Sequence, residues 1–442
     1  MQSDLIKKHA LFLLITLALS MGLLCIALPA WFNLVEFLGK RIPQGSVWID
    51  YLQGLLWAVF LGTTIFFWPV SSSDKKALAI VWAVKCFVML GVMLFYEYHY
   101  QIDSYAYFSG ARFDMSLWHE KYCDGPNLPP ILFIRLHQDL LLDSYHAVKV
   151  SFGFVGLAAI FIFYRAAIAF LRREKVLLLY IFAFFPSILF WSSTFGKDPL
   201  GLFSITIYCY GTIAWVRRGS WPSVGILLAG VFSITFMRPW MGVIMAFPVL
   251  VITIFCMKKS DRVKMLVLSC ALFLISAVSV QSAFSYLGVG TGRSLTSVAN
   301  EKFIDFSRGG SGRKTTGAAD GKTQVSGRQQ SVKFGRGWDM LQFVPRGMFT
   351  ALFRPLPGEV KNLFGLIAGL EDVLLLGLFT LMMIRGRWKE LSDPLLLWAF
   401  LFILGWSAAY GFISYNLGTV CRYRLQILPV MLGFMLYMGR KK

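Results

Sequence analysis

Length and composition decide the broad class of this chain. It has 442 residues, of which 57% are hydrophobic and 15% are charged, and its mean hydropathy is +0.63. A soluble protein carries charge on about a quarter of its residues, so this composition indicates an integral membrane protein. The 43 Lys and Arg against 23 Asp and Glu give a net charge of +20. In so apolar a chain this excess points to membrane topology and anionic lipid contact, and nucleic acid is not expected as a partner.

Apolar runs long enough to cross a bilayer recur along the whole chain. One helical span needs about 20 apolar residues. On that basis the sequence predicts an all-α, polytopic membrane protein with about twelve transmembrane helices. The predicted helices lie near residues 10–30, 51–70, 77–96, 147–170, 175–193, 199–216, 222–237, 240–257, 264–284, 363–384, 394–415 and 424–439.

The charges between these runs predict how the chain is oriented. Lys and Arg close to a span favour the cytoplasmic side of the membrane. Nineteen of them fall in alternate connections, whereas the short connections opposite hold six. Both termini are therefore expected in the cytoplasm, with the sparsely charged connections on the outer, periplasmic side. The six outer residues are Lys40, Arg41, Lys197, Arg238, Arg422 and Arg424.

Two connections are much longer than the others, and both fall on the predicted outer side. Loops of this length in a compact protein usually carry function or are disordered. They divide the chain into helices 1–3 (residues 1–96), an outer loop (97–146), helices 4–9 (147–284), a second outer loop (285–361) and helices 10–12 (362–442).

The two outer loops differ in composition. In the first, the Pro129-Pro130 pair precedes an apolar stretch at residues 131–136, which predicts a turn and then a short helix in the membrane interface. Residues 307–337 of the second loop are rich in Gly, Ser, Lys and Arg, with Asp320 as the one acid, a composition typical of a flexible basic segment. Residues 338–361 regain aromatic and apolar character and are expected to lie on the membrane surface.

Polar residues that topology does not explain collect on the predicted outer side. A basic residue there opposes the charge bias of membrane proteins. Anion binding explains it, because Arg binds phosphate through a planar fork of donors and Lys adds a point charge. Pairing with a lipid headgroup or a neighbouring acid is the alternative for each residue. The residues are Lys197, Arg238, Arg354, Arg422 and Arg424, together with the acids Asp103 and Glu359.

Two of the outer acids have more than one interpretation. Asp103 fits a general base, a ligand for a divalent metal ion, or a helix cap together with Ser104. Asp198, beside Lys197 and before Pro199, has the same ambiguity, because Asp-Pro is also an expected signal for a helix start. The seven Cys residues are scattered singly, and no Cys/His spacing predicts a metal site.

Two further acids fall inside the tenth predicted span, where ionisable groups are costly and usually paired or functional. They are Glu371 and Asp372. Either they form an internal ion pair, with Lys85 or Lys149 as the partner, or they belong to a proton or ion pathway.

Several short strings lie in the outer segments or in the span just before one of them. They are Phe185-Pro-Ser-Ile-Leu-Phe-Trp191, Gly196-Lys-Asp198, Arg238-Pro239, Phe353-Arg-Pro-Leu-Pro357 and Arg422-Tyr-Arg424. With the many spans, the acid in an early outer loop and the long late outer loop, the chain resembles the polytopic bacterial GT-C-like membrane glycosyltransferases, which include O-antigen polymerases and ligases. The likeness is one of architecture and extends over the whole chain.

The resemblance implies a reaction and a place for it. The substrate would be a glycan linked to polyprenyl phosphate or pyrophosphate at the outer face of the cell inner membrane, transferred to an acceptor sugar. Asp103 or Glu359 would take the proton of the acceptor, and the five basic residues would hold the phosphate. Because Asp103 has no adjacent acid, a reaction without metal or other cofactor is expected. The lack of a clear His in the late loop favours a polymerase over a ligase.

A transporter or flippase is the competing interpretation. The same basic residues would hold an anionic lipid-linked or small anionic substrate without cleaving it, and Glu371 and Asp372 would couple to protons. Transporters commonly have duplicated halves and broken helices, and the sequence shows neither clearly. A structural or assembly subunit without activity is a third interpretation. It is the least favoured, because such a role needs no basic residues in the outer turns. The cytoplasmic connections are too short for a nucleotide-hydrolysing domain, so nucleotide hydrolysis by this chain is not expected.

Overall fold

The computed structural model describes residues 29–100, 103–112, 125–256, 262–287, 337–360, 362–413 and 417–440. All regular structure in these ranges is helical, beginning with residues 29–39. The helices that follow are α1 (Val47–Thr64), α2 (Ser72–Phe87), α3 (Met93–His99), α4 (Ser104–Ala111), α5 (Leu128–Leu140), α6 (Tyr145–Leu171), α7 (Val176–Phe184), α8 (Pro186–Trp191), α9 (Lys197–Arg218), α10 (Trp221–Met237), α11 (Pro239–Cys256), α12 (Arg262–Leu287), α13 (Gly337–Phe353), α14 (Leu363–Arg385), α15 (Pro394–Ile413), α16 (Leu417–Arg424) and α17 (Leu428–Met438).

Within the described ranges, seven helical stretches are long and apolar enough to cross a membrane. They are Val47–Phe67, Ser72–His99, Tyr145–Leu171, Lys197–Arg218, Arg262–Ser285, Leu363–Arg385 and Pro394–Phe412. Three shorter apolar helices are Trp221–Met237, Pro239–Phe255 and Leu428–Met438. By length and composition these helices are those of a polytopic membrane protein, as the apolar runs predict.

One predicted span is interrupted. The sequence predicts a single helix near residues 175–193, whereas the structure has α7 and α8 separated at Phe185, whose backbone is extended at φ −62° and ψ 123°. Pro186 causes the break, because a proline lacks an N–H and its ring disfavours the helical conformation in the preceding residue. Most of the first predicted span, residues 10–30, lies outside the described ranges, as does nearly all of the basic segment 307–337.

Helix α9 packs along both α6 and α10, and two glycines set its distance from α10. A Cβ atom added to Gly211 would lie 2.5 Å from the backbone N of Leu227. One added to Gly230 would lie 2.5 Å from the backbone N of Tyr208. No side chain fits at either position, so the two backbones are in direct contact, the close approach that small residues permit between membrane helices.

Buried ionisable side chains join the first helices to α6. Asp50 of α1 accepts hydrogen bonds from the backbone N of Tyr145 at 2.7 Å and from Nδ1 of His146 at 2.5 Å. Lys149 of α6 donates to Glu97 of α3 at 2.6 Å, and neither side chain is exposed. These contacts give the buried ionisable groups hydrogen-bond partners, which reduces the cost of burying them in apolar helices.

Lys85 of α2 is also fully buried and holds the chain just after α8. Its ammonium group donates to the carbonyl oxygen and Oγ of Ser192, at 3.0 and 2.7 Å, and to Oγ of Ser193 at 2.9 Å. The three protons of the ammonium group thus have three neutral acceptors. Lys85 and Lys149 therefore have other partners than the acids of the tenth predicted span, and that expected pairing is wrong.

Helices also occupy the described parts of the two long connections. In the first, α4 and α5 pack together, and Pro129 and Pro130 lie in the first turn of α5, where proline is favoured, so the pair begins the helix instead of preceding it. In the second, α13 packs against α15, while Trp338 and Leu341 of α13 are exposed. An apolar exposed edge of this kind suits contact with lipid.

Candidate functional site

Four separate segments bring polar side chains to one place. Asp103 is the residue before α4, Lys197 and Asp198 open α9, Arg238 lies between α10 and α11, and Arg422 lies in α16. The turn into α9 depends on Gly196, whose φ of +144° is a conformation that L side chains rarely adopt. The five charged side chains are called the Asp198 cluster below.

Asp198 joins the two arginines of this cluster. Its Oδ2 accepts a hydrogen bond from Nε of Arg422 at 2.6 Å, and its Oδ1 lies 3.6 Å from Nη2 of Arg238. Nη1 of Arg422 lies 3.5 Å from Oδ2 of Asp103. Lys197 interacts electrostatically with all four of these groups. Residues far apart in the chain are thus held in one network of charges.

Exposure increases across the network. The side chain of Asp198 is 3% exposed and that of Arg238 is 9%, whereas Arg422 is 25% and Asp103 is 44% exposed. Asp198 is therefore a fixed counter-ion beneath the arginines. A ligand can reach Asp103, the outer part of Arg422, and Lys197, which is partly exposed.

The structure also bears on the capping interpretation of the two aspartates. Asp103 occupies the N-cap position of α4, but its side chain makes no capping hydrogen bond there. The N-cap of α9 is Gly196, with Asp198 in the first helical turn. Both carboxylates face Arg422, so a capping role does not account for either.

Aromatic rings border the cations of the cluster. The guanidinium of Arg238 lies 4.2 Å from the ring centroid of Tyr423, and that of Arg422 lies 6.0 Å from the ring of Trp191. These distances are within the range of cation–π attraction, which also keeps the guanidinium planes oriented. The hydroxyl of Tyr107 donates to Oδ1 of Asn127 at 3.4 Å.

The cluster has a positive surplus. Three cations, Lys197, Arg238 and Arg422, face two acids, Asp103 and Asp198. Burial alone would lower the pKa of Arg422, but the negative charges of Asp198 and Asp103 raise it, so the guanidinium stays charged. Among the described residues this leaves one positive charge in excess, and such an arrangement can bind an anion such as phosphate.

Arg354 and Glu359 form a second group. Nε and Nη2 of Arg354 donate to Oε1 of Glu359 at 3.0 and 2.5 Å, and the backbone N of Leu356 donates to Oε2 at 2.7 Å. Although burial acts to raise it, the hydrogen bonds from Arg354 and Leu356 hold the pKa of the Glu359 carboxyl below its ordinary value. Glu359 therefore fastens the turn after α13.

Arg424 belongs with this second group. Its side chain is 2% exposed, and it donates through Nη1 to Asp372 of α14, through Nε to the carbonyl of Ala351 at 3.1 Å, and through Nη2 to the carbonyl of Arg354. These bonds tie α13, α14 and α16 together. Of the five basic residues predicted to bind phosphate, the structure thus gathers three around Asp198 and places Arg354 and Arg424 in contacts with the scaffold.

Sequence reasoning left Asp198 out of the predicted site and gave no role to the aromatic residues. The signal for Asp198 was its position beside Lys197 in an outer turn, which a helix start also explains. Tyr423 and Trp191 lie in two of the short strings quoted for the resemblance, but aromatic residues are common at both membrane interfaces, so the sequence assigns them no role. Within the described ranges, no group of three or more His, Cys, Asp and Glu side chains is arranged to hold a metal ion.

Comparison with known proteins gives no further guide to this geometry. No family model, no curated protein and no solved structure matches the chain. The resemblance to membrane glycosyltransferases therefore stays an expectation from the sequence.

Proposed function

We propose that this chain transfers or polymerises sugars carried on polyprenyl phosphate or pyrophosphate, at the outer face of the cell inner membrane, in the synthesis of cell-surface polysaccharide. The main support is the convergence of Lys197, Arg238 and Arg422 around Asp198. A positive surplus at the ends of membrane helices suits the phosphate of a lipid-linked substrate. Surrounding membrane lipid would hold the polyprenyl chain.

The proposal requires the cluster to face the outer side of the membrane. The sequence predicts twelve spans with both termini in the cytoplasm. In that topology all residues of the Asp198 cluster lie in connections on the outer side of the membrane. The charges along α9 are consistent with this orientation. Lys197 and Asp198 lie at one end of that helix and the basic pair Arg217 and Arg218 at the other, where positive charge favours the cytoplasm.

Asp103 is better placed than Glu359 to act as the general base. Its carboxylate is 44% exposed beside Arg422, whereas Glu359 is bound by Arg354 and has a lowered pKa, which makes it a poor proton acceptor. Asp103 would accept the proton of the acceptor hydroxyl. The oxygen of that hydroxyl bonds to the anomeric carbon of the donor sugar, and the bond from the anomeric carbon to the phosphate oxygen breaks. Arg422 and Lys197 would stabilise the departing phosphate.

The proposed reaction needs no cofactor and no nucleotide hydrolysis by this chain. Its energy comes from the sugar–phosphate bond that breaks, since the lipid phosphate is the leaving group. The partners are then a lipid-linked glycan as donor, an acceptor sugar and the surrounding lipids.

The test is the lipid-linked glycan profile of cells lacking this protein, complemented with wild type, Asp103→Ala or Arg422→Ala at equal expression. Long glycan is expected with wild type only, and single lipid-linked units should accumulate on the outer leaflet with the variants. Lys75→Ala is the matched control, because Lys75 lies outside the cluster, near the opposite membrane surface in the predicted topology. Normal glycan with both cluster variants would contradict the proposal.

A flippase or transporter is the second candidate, and one observation favours it. The α7–α8 helix is broken at Phe185, and broken helices next to buried acids are common in transporters. The same complementation distinguishes the two. Lipid-linked units trapped on the inner leaflet would indicate a flippase, and units trapped on the outer leaflet would indicate a polymerase or transferase.

A further inference from the structure

Glu371 is a buried carboxyl group for which the described residues supply no cation of its own. It lies in α14, one of the helices able to span a membrane, and is 5% exposed. Its Oε2 accepts a hydrogen bond from the backbone N of Ser187, in the first turn of α8, at 2.7 Å. Its Oε1 has no hydrogen-bond partner among the described residues. The bond that Glu371 does make comes from a neutral group.

The cation that acts on Glu371 is already balanced by another acid. Arg424 is that cation, and its guanidinium donates to Asp372 and to the carbonyls of Ala351 and Arg354. The remaining charged pair of the second group, Arg354 with Glu359, is neutral as a unit. Cys421 of α16 also lies near Glu371 and adds no positive charge.

Among the described residues around Arg424, one carboxyl group is therefore in excess. One guanidinium faces two carboxyl groups, so ionising both would place an uncompensated negative charge inside an apolar span. Such a charge is costly at that depth, and a buried group usually avoids it by binding a proton. Asp372 has the hydrogen bond to Arg424, which leaves Glu371 as the member that is neutral.

We propose that Glu371 is a proton-binding site: its carboxyl group carries a proton within the membrane, beside the Asp372–Arg424 ion pair. With the proton on Oε1, Oε2 remains the acceptor for the Ser187 amide. Ser187 lies in the first turn of α8, and the chain after α8 leads to Lys197 and Asp198 at the start of α9. The proton is therefore bound next to the segment that carries these two members of the Asp198 cluster. This assignment does not depend on the proposed glycan reaction.

The test is an infrared difference spectrum of the purified full-length protein in lipid bilayers, wild type against Glu371→Gln, at neutral pH. The expected difference is the carbonyl band of a protonated carboxyl group, present in wild type and lost in the variant. Loss of carboxylate bands instead would show that Glu371 is ionised and would overturn the proposal.

A second measurement uses dicyclohexylcarbodiimide, an apolar reagent that adds to protonated carboxyl groups. The peptide containing Glu371 should gain the adduct in wild type, and Glu371→Gln should lose it. An adduct of equal yield on that peptide in the variant would contradict the assignment.

Thermal unfolding of two neighbouring variants gives a control for structural damage. Glu371→Gln should unfold near the wild-type temperature, because an amide oxygen can accept from Ser187 as a neutral carboxyl does. Asp372→Asn should unfold at a distinctly lower temperature, because it replaces the carboxylate that is hydrogen-bonded to Arg424 by a neutral amide. If the unfolding temperature of Glu371→Gln fell as far as that of Asp372→Asn, Glu371 would be ionised in the wild type, and this would contradict the proposal.

Discussion

Two aspartates contact Arg422 from different surroundings. Asp198 is 3% exposed, bonds to Arg422 at 2.6 Å and also faces Arg238. Asp103 is 44% exposed, and its contact with Arg422 is longer, at 3.5 Å. A buried carboxylate between two guanidinium groups acts as a counter-ion, whereas a substrate can reach an exposed one. Substitutions at these two positions should therefore separate a structural from a chemical role.

Asp198→Asn is expected to destabilise the fold, and Asp103→Asn to remove activity from a folded protein. Removing one partner of a buried ion pair costs about 3–5 kcal/mol in the free energy of unfolding. Losing an exposed contact costs about 1 kcal/mol or less, while losing a general base slows a reaction by roughly 10²–10⁴-fold. Thermal unfolding in detergent and the glycan profile check the two effects. Asp103→Asn with a normal product would exclude Asp103 as the base.

Glu359 supplies a prediction about pH. Burial acts to raise its pKa, but the bonds from Arg354 and Leu356 lower it overall from the ordinary 4.5. A carboxyl group whose pKa is lowered by folding stabilises the fold above its unfolded pKa, and this contribution is lost as the pH falls through the folded pKa. The difference in unfolding temperature between wild type and Glu359→Gln should therefore be constant near neutral pH and shrink below about 4.5.

Glu174→Gln is the matched control for that measurement. Glu174 is 73% exposed and lies 3.8 Å from Arg165, so its loss should change the unfolding temperature little at any pH. The difference in unfolding temperature between wild type and Glu359→Gln should shrink as the pH falls below 4.5. If this difference instead stays constant or grows, the hydrogen-bonded pair of Glu359 and Arg354 does not stabilise the fold as described.

At the scale of helices, small residues and a proline determine how the site segments meet. Gly230 allows α10 to touch the backbone of α9, whose first turn carries Lys197 and Asp198. Pro186 ends α7, and the chain after the short α8 is held by Lys85 before it enters α9. Both features act on the same helix, so the position of the cluster depends on helix packing far from the charged groups themselves.

Gly230→Ala should destabilise the protein, whereas Gly225→Ala in the same helix should not. A Cβ atom at position 230 would lie 2.5 Å from the backbone N of Tyr208, while one at position 225 meets nothing within 4 Å. Overpacking of this kind costs about 1–3 kcal/mol. Replacing an open helical Gly by Ala instead stabilises by about 0.5–1 kcal/mol. Unfolding temperatures of both variants in one detergent provide the measurement, and equal shifts would contradict the backbone contact.

At the scale of the whole molecule, the sequence predicts the helical membrane fold because apolar runs report burial in lipid directly. The sequence does not show that Arg422 and Arg424 have different partners. Residues two apart on a helix do not share a face, and only the helical conformation of α16 sends one side chain to Asp198 and the other to Asp372. The break at Pro186 lies within an apolar run, so hydropathy does not reveal it. Long-range partners such as Lys85 and Ser192 follow from packing, which periodicity cannot supply.

The orientation of the whole chain is the last prediction, because outer-face chemistry depends on it. Asp139 of α5 and Glu174, just after α6, are exposed residues at opposite ends of α6, with 62% and 73% exposed side chains. In a cysteine-free chain, Asp139→Cys should react with a membrane-impermeant maleimide in intact cells. Glu174→Cys should react only after the inner membrane is permeabilised, since the Arg172–Arg173 pair beside it favours the cytoplasm. Full labelling of both after permeabilisation controls for reactivity. The reverse pattern would place the Asp198 cluster in the cytoplasm, where a lipid-linked glycan on the outer leaflet cannot reach it.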